Sequence, residues 1–197
     1  MGTEVETASV RHLAINGFPR AERVALAGAN DRGDVRLRID PVIVAECKRA
    51  QRGVLLTPWM KELDTEAYNS GARYGLLIAK QRGAGERSVG RWFTAMREWH
   101  YRDLVNHVTL LQPSVDPMLM QLQNLSPMHV NNGLVPSLNH PKSRSKDGTW
   151  PWMPFASTFT PGYLATGGRM VLGPLNQFLQ LLEWASLTET ATEEAAT

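Results

Sequence analysis

The chain has 197 residues, 43% of them hydrophobic and 20% charged, and a formal net charge of +2. That balance fits a soluble globular protein of one domain, or one domain with an appendage, and it demands no nucleic-acid partner on charge alone. A single cysteine excludes an intramolecular disulfide and a multi-cysteine metal site, and no apolar run reaches the ~20 residues of a membrane helix. A reducing cytoplasm is the expected setting.

Thr3-x-x-Glu6 is a capping box, so a helix should begin there. Val5, Ala8, Val10 and Leu13 supply its apolar stripe, and Asn16-Gly17 is a left-handed C-cap signal. Glu6 has two readings. It can cap its own helix, or it can face inward along the ridge it shares with Val10, Leu13 and Gly17. Residues 20–27 read as an extended or edge segment, and the Gly28–Gly33 turn delivers Asp34. The strand after it has Val35, Leu37 and Ile39 on one face and Asp34, Arg36 and Arg38 on the other. Asp40-Pro41 is a turn signal. Val42-Ile43-Val44-Ala45 then runs into Glu46-Cys47-Lys48, where Glu46 and Lys48 share the face of Val42 and Val44.

A basic stretch, 48–53, follows. Thr57 as N-cap and Pro58 at the first helical position open a second helix, with Trp59, Leu63 and Ala67 on its buried face and Gly71 closing it. Glu62 and Glu66 are expected on a solvated face. Residues 74–79 are a continuous apolar run, the mark of a central strand covered on both sides. Lys80 to Arg87 read as a basic, glycine-rich loop. Residues 92–96 are the next strand, and 98–111 a helix with Tyr101, Leu104, Val105, Val108 and Leu111 inward.

Beyond residue 111 the character changes. Eight of the twelve prolines fall between 113 and 161, which predicts an extended arm packed on a surface. Pro174 should start an amphipathic helix through Leu187, with Leu175, Phe178, Leu179, Leu182 and Ala185 in its stripe. Residues 188–197 read as a flexible tail. The aromatic load of this segment needs burial, on its own domain or on another subunit, and the second is the expectation. The expected division is therefore a domain over 1–111 and an extension over 112–197.

The chemistry concentrates at Asp34, Glu46 and Lys48. If the two strands pair, both carboxylates and the lysine converge. Two carboxylates can hold a hard cation such as Mg²⁺, and a lysine beside it can orient water or offset charge on a phosphate. The plain alternative is a hairpin with one solvated face. The histidines show no zinc spacing, and no phosphate-binding glycine loop or serine nucleophile motif is present.

Several blocks sit around that triplet in order. They are Gly2-Thr3…Glu6, Asn16 to Arg23, Gly28 to Asp34, Val44 to Lys48, Glu66-Ala67-x-x-x-Gly71-Ala72 and Lys80-x-Arg82-Gly83. Together they resemble the PD-(D/E)xK nuclease superfamily, and within it the small nucleases of actinobacteria and their phages that are similar to archaeal-type Holliday junction resolvases. Gly33 stands where the superfamily's name has proline, and the segment between Asp34 and Glu46 is slightly longer and more basic than the pattern. The resemblance implies a restriction-endonuclease-like α/β fold, a mixed central sheet flanked by helices. It implies a Mg²⁺-dependent DNA endonuclease, with Mn²⁺ able to substitute. Asp34, Glu46 and Lys48 would be catalytic, with Glu6 as a further acidic member and Glu66 raised from a solvated-face residue to a group supporting them. Asp34, Glu46 and the Cys47 backbone carbonyl would be the metal ligands. Arg32, Arg49, Arg52, Lys80, Arg82, Arg87 and Arg91 would hold DNA, and a homodimer would match a two-fold junction. The rival expectation is a nuclease fold kept as a DNA-binding or phage assembly module without essential catalysis.

Overall fold

In a computed structural model of the chain, residues 3–25, 31–39, 41–50, 56–111, 128–130, 160–164, 168–183 and 185 are described. The first 111 residues run α1 (Thr3–Ala14), β1 (Glu22–Arg23), β2 (Val35–Ile39), β3 (Val42–Ala50), α2 (Leu56–Ser70), β4 (Tyr74–Gln81), β5 (Phe93–Arg97), α3 (Glu98–Leu111). This is the order the sequence predicts. Then come β6 (Met128–Val130), β7 (Thr160–Leu164), β8 (Gly168–Pro174) and α4 (residues 175–183).

The strands form one mixed sheet in the order β1-β2-β3-β4-β5-β8-β7-β6. β2 and β3 are an antiparallel hairpin, whereas β3 and β4 are parallel, joined by α2 as a crossover. β4 is buried along its whole length, as its unbroken apolar run requires. One face of the sheet packs on α1, α3 and α4 around Leu13, Ile43, Ala45, Leu76, Trp92, Leu104 and Phe178. The other packs on α2 around Leu56, Met60, Leu63, Leu77, Ala79 and Phe93.

The hairpin places the chemistry. Ile43, Ala45 and Cys47 are buried on the α1 face, so Glu46 and Lys48 turn to the α2 face. Between Arg36 and Arg38 the register slips: Arg36 pairs with Val44, but Arg38 pairs with Ile43. Leu37 is the extra residue, and a bulge of this kind absorbs it while Val35 and Leu37 both stay buried.

Several expectations are corrected. α2 begins at Leu56, before the predicted Thr57 cap, and its fully buried face is Leu56, Met60, Leu63 and Ala67, with Trp59 half-buried. β3 runs on to Ala50 and β4 to Gln81, because Arg49↔Lys80 and Ala50↔Gln81 continue the parallel ladder. Lys80 and Gln81 are therefore strand residues, not loop. Residues Glu86–Arg91 form a 3-10 segment rather than irregular loop. Residues 168–183 and 185 are not an appendage to 1–111. β8 pairs with β5 from Phe93↔Pro174 to Arg97↔Met170, and Leu175, Phe178, Leu179 and Leu182 lie in the same core as Val5 and Leu13. The predicted stripe of α4 is real, but its own domain covers it. Most of the expected arm, and the whole of the expected 188–197 tail, lie outside the described residues. No described helix is long and apolar enough to cross a membrane.

Candidate active site

Asp34 stands at the head of β2, held there by three hydrogen bonds, one of them from the Val24 N–H to its carbonyl at 3.0 Å. Its backbone N–H donates to the Ala45 carbonyl at 3.1 Å, and its Oδ2 accepts the Cys47 backbone N–H at 2.8 Å. Gly33 makes the approach possible. Its φ is +90°, and a Cβ there would lie 3.4 Å from the Ala45 carbonyl oxygen. Proline, locked near φ −65°, cannot adopt that conformation, which accounts for glycine at this position.

Glu46 is buried in the middle of β3 and touches two partners. Lys48 Nζ contacts Glu46 Oε1 and lies 2.6 Å from Glu62 Oε2 on α2. On its other side Glu46 meets Glu66, also from α2 and also buried. The Glu66 Oε2 atom is fully buried without a hydrogen-bond partner. Glu62 is half exposed, so the two glutamates expected on one solvated face part company. Glu66 follows Leu63 by three residues and so shares the inward ridge of α2. That spacing is the sequence signal for it.

Crowded acids in a poorly solvated site repel each other. Burial pushes the Asp34 carboxyl up to about 7, with the Glu46 charge adding to it. Burial likewise pushes Glu46 up to about 7, against the pull of Lys48 and with the help of Glu66. Glu66 is raised as well, by burial first. Burial works against the Lys48 ammonium, but its hydrogen bonds to Glu46 and Glu62 outweigh that and hold it above the ordinary lysine value. Asp34, Glu46 and Glu66 therefore titrate as one coupled cluster, with Lys48 favouring the charged form of Glu46.

Glu6 is buried on α1, and its Oε2 accepts a hydrogen bond from Arg23 Nε at 2.7 Å. Its charge also acts on Asp34. The inward-facing alternative is thus the one the fold adopts. Arg23, on the two-residue β1, is a site neighbour that sequence reasoning missed. It has no periodic signal of its own.

The basic residues are dispersed. Arg32, Arg82, Arg87 and Arg91 are exposed, and Arg52 lies outside the described residues. Arg49 reaches Glu4 at 3.4 Å. Lys80 is buried, pairs with Glu4 and lies 5.6 Å from the Trp92 ring centroid. Cys47 is a free, buried thiol pushed up by burial and 3.7 Å from Ser9 Oγ. Its side chain faces away from Glu46.

No protein-family model matches the chain, and no curated protein matches it. Among solved structures, the chain is similar to Hjc of Archaeoglobus fulgidus, a Holliday junction resolvase from an archaeal hyperthermophile, with 24% identity and a TM-score of 0.34 over 47% of this chain and 70% of that one.

Proposed function

We propose that the chain is a divalent-metal-dependent endodeoxyribonuclease of the PD-(D/E)xK type. One observation carries this reading. Asp34, Glu46 and Lys48 meet beside Glu66 in a site with more buried carboxylates than cations. Among the described residues no three His, Cys, Asp or Glu side chains are grouped as a ready metal cage. The donor set still fits Mg²⁺, which takes one or two carboxylates and keeps several waters. Asp34, Glu46 and the Cys47 carbonyl would hold it, and the orphaned Glu66 Oε2 is an acceptor for a water on it.

When bound, the cation would polarise the scissile phosphate and lower the pKa of a bound water. The protein's own residues do the rest. Asp34 is fixed by the Cys47 N–H, so its free oxygen has one orientation. Lys48 supplies a positive charge beside the attacked phosphorus, where negative charge builds as the water oxygen bonds and the leaving oxygen departs in line. Glu62 and Glu46 keep that ammonium in place.

Purified Asp34→Asn and Glu46→Gln proteins should bind DNA but lose Mg²⁺-dependent cleavage, and Ca²⁺ should not replace Mg²⁺. Equal cleavage by the wild type and Asp34→Asn would overturn the assignment. A wild type that binds DNA and cuts none with any divalent ion would instead make the chain a DNA-binding module.

A further inference from the structure

Glu4 is an acid that the active site does not use. It stands in the first turn of α1 and is exposed, yet its two carboxylate oxygens go to two different cations. Oε1 takes the Lys80 ammonium, and Oε2 lies 3.4 Å from Arg49 Nη1. Arg49 and Lys80 are register partners across the β3–β4 ladder. The hydrogen bond from Lys80 holds the Glu4 carboxyl below its ordinary value, so it is ionised at neutral pH.

The two partners differ in what they need. Lys80 is 7% exposed, with its ammonium 5.6 Å from the Trp92 ring centroid, and a buried charge left without an anion is strongly destabilising. Arg49 is half-exposed, and its contact is longer than the roughly 2.7–2.9 Å of a charge-assisted hydrogen bond. Glu4 therefore meets a need for an anion, but as an exposed side chain that can swing away. Beside this pair the surface opens into a pocket of about 530 Å³, lined in part by Arg49, Lys80, Arg82 and the turn from Gly83 to Gly85. Arg82 is exposed, and a Cβ at Gly83 or Gly85 would meet nothing within 4 Å, so the turn leaves space over it. Three cationic side chains thus accompany one carboxylate. A phosphate has more acceptor oxygens than a carboxylate and sets them tetrahedrally. It can take Lys80 and Arg49 together, as Glu4 does, and still offer oxygen to the Arg82 fork.

We infer that this pocket is a phosphate site and that Glu4 is its resident competitor: a bound phosphate replaces the Glu4 carboxylate on Lys80 and Arg49 and adds Arg82. Glu4 keeps the buried ammonium paired while the site is empty. Two sources share the ligand chemistry, free inorganic phosphate and the backbone of a DNA strand. Only the second rests on the nuclease reading.

The test is a titration of the metal-free full chain with inorganic phosphate, at constant ionic strength against chloride, with thermal melts beside it. Glu4→Gln keeps the shape and removes the charge. It should bind phosphate about tenfold tighter than the wild type, the low end for a hydrogen bond to a charged group. In chloride it should melt below the wild type, because Lys80 is left unpaired, and phosphate should close that gap. Lys80→Met should weaken phosphate binding, and Glu4→Gln added to it should bring no tenfold gain. Glu22→Gln makes the same charge change at another exposed ion pair, with Arg36 on β2, and should bring no gain either. A short DNA duplex, again without metal, separates the sources. Tighter DNA binding by Glu4→Gln, competed away by inorganic phosphate, assigns the site to the strand. Tighter phosphate binding with unchanged DNA affinity assigns it to the free ion. Equal phosphate affinity in the wild type and Glu4→Gln overturns the inference, as does a gain that Glu22→Gln reproduces. So does a Glu4→Gln protein that melts lower by the same margin in phosphate and in chloride, since Glu4 would then only steady the first turn of α1. Because no cleavage is measured, failure of the nuclease assignment would leave the phosphate result standing.

Discussion

Asp34 and Glu46 are carboxyls that the fold holds at a cost to itself. Each is raised to about 7, from ordinary values of 3.8 and 4.5. The folded chain therefore binds protons more tightly than the unfolded chain between those limits. The stabilisation is complete below the unfolded values and is lost as pH rises through about 7. Metal-free protein should melt at a lower temperature at pH 8 than at pH 5, and Mg²⁺ should recover part of the loss at pH 8. Asp34→Asn should flatten the profile while abolishing cleavage. Thermal melts at both pH values, with and without Mg²⁺, check this, and a stability that rises steadily from pH 5 to pH 8 would sink it. Glu66 belongs to the same cluster. Glu66→Gln preserves its shape and removes its charge, so the protein should fold. Cleavage should fall by about 10–100-fold, the usual cost of removing a group that supports a metal ligand. A single-turnover assay at saturating Mg²⁺ beside one at low Mg²⁺ would show whether that fall is in metal affinity or in chemistry.

Among the elements, the 3-10 segment Glu86–Arg91 and the turn before it carry the exposed Arg82 and Arg87. Removing one arginine–phosphate pair should lower the slope of log K against log salt by about 0.9 on duplex DNA. An Arg82→Ala/Arg87→Ala double variant should therefore shed close to two units of slope. Fluorescence anisotropy across a salt series measures it, and an unchanged slope would make these arginines ordinary surface charges. The order of elements through α3 was legible in the sequence because capping residues, period-two strands and the apolar run of β4 agree with one another. The Asp34, Glu46 and Lys48 convergence was legible for the same reason. Glu66 was legible only through the resemblance and its spacing from Leu63, since by local pattern a charged residue four from another reads as solvent-facing until α2 is placed against β3. The ends of β3 and β4 were missed because Arg49 and Lys80 look like loop, and only their pairing across the parallel ladder keeps them in strands.

For the whole molecule, the consequential correction lies in residues 168–183 and 185. Weak local periodicity and prolines made the segment before α4 look separable, but long-range pairing with β5 is invisible to local pattern. Without β8, β5 would present an open edge, and without α4 the core facing α1 would be stripped of four large apolar side chains, Leu175, Phe178, Leu179 and Leu182. Truncating one buried leucine to alanine costs about 2–5 kcal/mol, and a phenylalanine about 3–5. A domain's whole stability is only about 5–15 kcal/mol. Removing all four with a strand exceeds it. A chain cut after Gln112 should therefore fail to fold, showing no cooperative thermal transition and aggregating through the open edge of β5. The full chain with Phe178→Ala should fold but melt markedly lower. Because α4 is covered by its own domain, any homodimer must use a surface other than that helix's apolar stripe. Light scattering on the full chain and on the Phe178→Ala protein should therefore give the same oligomeric state, whatever it is. Circular dichroism melts of the full chain and of the 1–112 fragment decide the rest: a soluble, cooperatively folded fragment would return β8 and α4 to the role of an appendage.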